Sequence, residues 1–103
     1  VERASRFHHV VMMRFSQAAD AAFFARVETY CRRVRAECAG VRDYFIAPNL
    51  SDRNDGLTHA VVLVCDDAAA HDAYQVSSAH REMKAYMTPF IVRIVVFDGA
   101  SPR

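Results

Sequence analysis

The stretch Gly56–Asp67, GLTHAVVLVCDD, decides the fold. It is a short apolar run rich in β-branched valine, bounded by a glycine turn and two aspartates, and it reads as a strand. Side chains alternate across a sheet, so Leu57, His59, Val61, Leu63 and Cys65 share one face and Thr58, Ala60, Val62 and Val64 the other. Both faces are mostly apolar, so the strand is expected to be covered on both sides. One position of the first face carries an ionisable ring, His59, which poses the functional question.

Upstream, residues 7–15, FHHVVMMRF, form another short apolar strand. Phe7, His9, Val11, Met13 and Phe15 face one way, and His8, Val10, Met12 and Arg14 the other. From about residue 20 to 38 the spacing turns helical, with Phe23, Val27, Tyr30 and Val34 in a stripe and Cys31 and Cys38 beside it. Ser16 or Asp20 can cap this helix, and Gly40 fits its end. VRDYFIAP, residues 41–48, alternates partly and stops at a proline, as a strand near an edge does. The loop 49–56 is built of turn residues.

Downstream, Asp66 and Asp67 can cap a short helix over 68–76. A second helical segment covers 77–87, with Ser77 or Ser78 as its cap and Glu82 expected to complete a capping box if Ser78 caps. Pro89 ends it, FIVRIVVFD (90–98) is the fourth strand, and GASPR (99–103) is loop. The order βαββαβ predicts an α+β domain over residues 1–103, a ferredoxin-like four-stranded antiparallel sheet with helices on one face. The other face, with Val10, Met12, Ala60, Val62 and Val64, is too apolar to leave in water. Two such faces packed together predict a homodimer with a barrel-like interior. Four apolar side chains buried there contribute roughly 6–12 kcal/mol before entropy is subtracted.

The composition narrows the function classes. Thirteen basic against twelve acidic residues leave a formal charge of +1 on 103 residues, without the basic excess of a nucleic-acid binder. CRRVRAEC (31–38) is the only basic cluster, and with Glu28 and Glu37 beside it a solvated helix face is expected. The three cysteines show no CxxC spacing; Cys31 and Cys38 lie two turns apart on one helix, about 10 Å, too far to bridge. They are expected to be reduced, in a reducing compartment. No apolar run reaches about 18 residues and VERASRF has no apolar signal core, so no membrane span or signal peptide is expected. The chain opens on Val1 instead of Met, which is read as trimming or as a designed start, and the cytoplasm is the expected location.

The segments HHVVMMRF, PNLSD, LTHAVVLV, DAYQVSSAH and VRIVVFD occur in that order along nearly the whole chain. In these pieces, and in a Thr-His opening the third strand with Tyr-x5-His downstream, the chain resembles the stress-responsive dimeric α/β-barrel (Dabb) family. The resemblance implies a ferredoxin-like subunit and a homodimer, and no single activity. Some plant members of that family are polyketide cyclases that use histidine and tyrosine in a pocket between sheet and helices. Carried over by motif, the catalytic counterparts are His9, His59, Tyr74 and His80, with Tyr30, Val27, Phe23 and Val61 as expected ligand contacts. The chain departs from the family pattern at Ser77-Ser78, where His-Pro is common, and at Ala47, where glycine is usual. Tyr30 stands nearly a turn beyond the position near Val27 where the cyclases carry a tyrosine.

The residue chemistry fits such a pocket. A buried imidazole is pushed toward its neutral form and can take a proton from a carbon acid, while a phenol can donate to a carbonyl as enolate charge builds. Such a reaction needs no cofactor, and none is expected. The alternative is a non-catalytic ligand-binding or stress-associated structural homodimer, with each ring satisfied by backbone or neighbours. A cavity of about 300 Å³ or more reached by two histidines favours ligand chemistry. His8 and His71 are expected to be bystanders. Three histidines could ligate zinc, but without HxH or HxxxH spacing no metal is expected, and the 49–55 loop lacks EF-hand spacing.

Overall fold

The computed structural model describes residues 5–102; residues 1–4 and 103, the ends of the expected domain, lie outside the described residues. Strand β1 (Phe7–Phe15) is followed by helix α1 (Ala21–Glu37), strands β2 (Val41–Pro48) and β3 (His59–Cys65), and helices α2 (Ala68–Gln75) and α3 (Ser78–Met87). A 3-10 turn, Thr88–Phe90, holds Pro89 and leads into β4 (Ile91–Ala100). The strands form one antiparallel sheet in the order β2-β3-β1-β4, as the βαββαβ reading expects. Strand β2 is an edge, which its terminal proline tolerates.

The caps show why each helix begins where it does. The Asp20 carboxylate accepts the Phe23 backbone N–H at 2.9 Å, and Asp67 accepts that of Ala70 at 2.9 Å. Ser77 caps α3 by accepting the His80 N–H at 3.2 Å. The expected capping box through Ser78 does not form, because Ser77 is the actual cap and Glu82 lies two positions beyond His80, the third helical residue. Glu82 instead accepts a two-pronged pair of bonds from Arg33 of α1 at 2.9 and 3.0 Å, tying the two long helices together. The fourth strand also runs two residues further than expected, because Gly99 and Ala100 pair with His8 and Phe7.

The core lies between the helices and one face of the sheet. Phe23, Val27, Tyr30, Cys31 and Val34 are buried along α1, and Met13, Tyr44, Val61, Leu63 and Cys65 face them from the strands. All three cysteines are free thiols. Burial, with Glu28 nearby, pushes the Cys31 thiol up to about 11, so it stays protonated and packs as an apolar residue. The basic segment of α1 is an ion-paired surface, with Arg33 bonded to Glu37 at 3.0 Å and Arg35 3.8 Å from Glu28.

Helix α1 packs on β2 and α3, and α2 rests on β1 and β3. The helical layer therefore stops short of β4. On the inner face of that strand Ile94 and Val96 are 53% and 51% exposed, and Val92, at the register shift opposite Arg14 and Phe15, is 61% exposed. On the outer face Phe97 is 60% and Val95 42% exposed, and Phe45 joins them from β2. These exposures mark β4 as the part of the sheet whose two faces are both left open. Among the described residues, no helix is long and apolar enough to cross a membrane.

Candidate functional site

Strand register decides which of the predicted histidines can meet. β1 and β3 pair so that Val11 stands opposite Val61, Met13 opposite His59 and His9 opposite Leu63. His9 and His59 share the inner face, but they sit four residues apart along the ladder, about 13 Å at 3.3 Å per residue. They cannot point into one small cavity. His59 lies at the far end, stacked on Phe24 with ring centres 4.4 Å apart and edge-on to Phe15. Its Nδ1 is 2.9 Å from the Thr58 hydroxyl, which in turn donates to the Met13 carbonyl at 3.3 Å. That is a satisfied packing environment.

The other three predicted residues converge. A partly open cavity of about 200 Å³ is lined by His9, Val11 and Met13 of β1, Tyr44, Val61, Tyr74, and Gln75. His80, Met83, Lys84 and Met87 of α3 close one side, and Ile91, Ile94 and Val96 form the rim along β4. The Tyr74 ring bridges the two histidines, 4.4 Å from His80 and 6.0 Å from His9 between ring centres. Val61 lines the cavity as expected of a ligand contact. Phe23, Val27 and Tyr30 do not; they are shut into the core along α1. The volume falls below the roughly 300 Å³ from which drug-sized ligand sites begin, so the space suits a small guest.

Hydrogen bonds fix the state of each ring. A carbonyl can only accept, so His80 Nδ1–H donates to the Gln75 carbonyl at 3.0 Å and Nε2 carries the lone pair. His9 Nδ1 is bonded to the Asp98 carboxylate, which likewise leaves Nε2 as the free nitrogen when the ring is neutral. Among the described residues no buried side-chain nitrogen or oxygen lacks a partner. The two unpaired Nε2 atoms therefore reach open space. Behind them the Tyr44 and Tyr74 hydroxyls bond each other at 2.8 Å, and Tyr44 donates to Met83 Sδ at 3.6 Å. Burial holds both phenols well above their ordinary pKa, so they remain neutral donors.

Three residues of this neighbourhood escaped the sequence reading. Asp98 follows from register, since β1 and β4 pair with His9 opposite Asp98. Tyr44 follows from alternation, as the inward neighbour of outward Phe45 on β2. His71, expected as an exposed bystander, is buried. Its ring stacks on Phe7 at 4.9 Å and lies 4.6 Å from that of His9, and its Nε2 accepts from the Gln75 side-chain amide at 3.0 Å. Helix α2 rolls this side chain onto β1, which an isolated short helical pattern does not reveal. His9, His71 and Asp98 each bring one metal-ligating atom within 4.8 Å of the others. In the 49–55 loop, by contrast, Asn49, Ser51 and Asn54 spend oxygens on the backbone N–H groups of Ser51, Arg53 and Gly56.

Burial lowers the pKa of His59, His71 and His80, with His9 adding repulsion at His71 and the Gln75 bond partly offsetting burial at His80. The folded state thus disfavours their charged forms. Above the ordinary value of 6.5 both states hold neutral rings and no stability is lost; as pH falls through it, the unfolded chain takes up protons first. Denaturant titrations between about pH 7.5 and pH 5 are expected to show stability falling with acid, at up to ~1.4 kcal/mol per pH unit for each such histidine. His80→Gln is expected to flatten that slope, and an unchanged slope contradicts the assignment.

The chain matches the family model described as the stress responsive A/B barrel domain over residues 7–100. No curated protein matches it. Solved structures share its fold at low identity. A dimeric ferredoxin-like protein of unknown function from Thermobifida fusca is 20% identical with a TM-score of 0.80, over 98% of this chain and 95% of that one. The hydroxynitrile lyase of Passiflora edulis is 18% identical with a TM-score of 0.81, over 94% of each chain. A Dabb family protein from Mesorhizobium loti is 16% identical with a TM-score of 0.76, over 96% and 98%. With nearly its whole length matched and the ferredoxin-like topology in place, the chain belongs to the stress-responsive A/B barrel (Dabb) family.

Proposed function

We propose that this protein is a homodimer that takes a small carbonyl compound into the cavity beside β4 and performs cofactor-free acid–base chemistry on it. The observation that carries the reading is that His9 and His80, each with Nδ1 already bonded, border one apolar cavity that also meets a buried tyrosine pair. In this scheme His80 removes a proton from the carbon next to the carbonyl. The protonated His80 then returns that proton to the product, while His9, held by Asp98, can accept a hydrogen bond from the substrate at Nε2; with the weak Tyr44–Met83 contact given up, Tyr44 donates to Tyr74 and Tyr74 donates toward the oxygen as negative charge develops. The cavity of about 200 Å³ confines a polyketide-cyclase-like version of this chemistry to a short carbonyl compound. His59 has no part in it, because register keeps it about 13 Å from His9. The name of the Passiflora structure supports an enzymatic role on this scaffold, although one fold hosts many activities.

The dimer rests on the exposed outer face of the sheet, where Phe45, Val95 and Phe97 meet the water together with Val10, Met12 and Val62. Relatives described as dimeric support it. Light scattering is expected to give twice the chain mass for the wild type and the monomer mass for Phe97→Glu. A monomeric wild type overturns the dimer.

The alternative, binding without chemistry, uses the same cavity. A thermal-shift screen of small aromatic and aliphatic ketones is expected to find compounds that stabilise the wild type and lose that effect in His80→Ala, while His59→Ala retains it. A hit that stabilises all three alike places binding elsewhere. Among hits that depend on His80, deuterium uptake next to the carbonyl in heavy water supports chemistry, and its absence supports a binding role.

A further inference from the structure

We propose that His9, His71 and Asp98 form a binding site for one divalent first-row transition-metal ion of the zinc class. The three come from separate elements brought together by packing. His9 and Asp98 are direct partners across β1 and β4, and α2 lays His71 over His9. Sequence spacing alone hides the set, since the residues are 62 and 27 positions apart.

The donor set is the right kind. Two imidazoles and one carboxylate are three-ligand chemistry for Zn²⁺ or Fe²⁺, with remaining positions left to water. Donors bound at 2.0–2.2 Å lie no more than about 4 Å apart around one ion. The ligating atoms here fall within 4.8 Å of one another, so a contraction of less than about 1 Å closes the site. His9 Nδ1 and the Asp98 carboxylate are already bonded, so the gap to close lies toward His71. Asp98, whose side chain is 43% exposed, can turn toward His71, whose ring stacks between Phe7 and the buried His9.

The bond already present shows where the ion goes. In the metal-free protein a proton joins His9 Nδ1 to the Asp98 carboxylate. An ion replaces that proton, binds the neutral ring and the carboxylate, and releases the proton to water. Gln75 completes the arrangement. Its amide carries both a donor and an acceptor and stands 3.0 Å from His71 Nε2, so it can support either tautomer as the other nitrogen turns to the metal. Two of the three thiols are not competitors of equal standing, because Cys31 and Cys65 are buried and burial holds both pKa values up.

This site goes beyond the acid–base reading and does not rest on it. The ion and a substrate proton compete for His9, so metal binding is read with no organic ligand present. Calorimetric titration of chelator-treated full chain with Zn²⁺ is expected to give one ion per chain. His71→Phe, which keeps the ring stack, and Asp98→Asn are each expected to weaken it at least tenfold, while His8→Ala, on the opposite sheet face, leaves it unchanged. Sub-stoichiometric binding by the wild type, or wild-type affinity in either site variant, overturns the proposal. Should either variant fail to fold, the Co²⁺ spectrum of the wild type decides. Visible ligand-field bands without a thiolate charge-transfer band support the site, and a thiolate band or the spectrum of the free aqua ion sinks it.

Discussion

The register of β1 against its two neighbours is the constraint on which the site depends. β1 lies in the interior of the sheet, so each inward residue has a partner on both sides. His9 meets Leu63 on β3 and Asp98 on β4, while His59 meets Met13 at the other end. A slip of one residue in either ladder would turn His9 or its partner to the opposite face. Between β1 and β3 the apolar pattern forbids that slip, because Val11, Met13, Val61 and Leu63 would leave the core together. The β1–β4 pairing then sets which carboxylate touches His9, by placing Asp98 opposite it.

A second feature follows from how few helices the chain has. Three helices cover β2, β3 and β1 and leave β4 bare. Each face of that strand keeps an apolar row: Ile91, Ile94 and Val96 inside, Val95 and Phe97 outside. The inner row becomes the rim of a cavity whose floor is the Tyr44–Tyr74 pair and whose wall is α3. The opening comes from incomplete coverage, and no loop insertion is needed to make it. An open apolar rim beside two imidazoles favours uptake of a weakly polar guest.

Much of this was legible in the sequence, and the reasons are local. The valine-rich strand 59–65, the stripe Phe23–Val27–Tyr30–Val34 and the caps at Asp20, Asp67 and Ser77 are short-range signals. They suffice for the element order and hence for the topology. The convergence of His9, Tyr74 and His80 was also expected. His59 was grouped with them because it shares their face, and face is all that alternation reports; position along the strand needs the register. His71 and Asp98 were missed for the same reason. One depends on how α2 seats against β1 and the other on a pairing across 89 residues, and neither leaves a mark in a window of neighbouring residues.

The central claim is that His9 and His80 each hold their proton on Nδ1 and present a bare Nε2 to the cavity. Long-range proton–nitrogen correlation NMR of the metal-free protein near pH 7.5 reads this directly. Both rings are expected to show a protonated Nδ1 and an unprotonated Nε2, and Asp98→Asn is expected to disturb His9 alone. Two rings protonated at Nε2, or a His9 signal indifferent to the loss of the Asp98 charge, contradict the account.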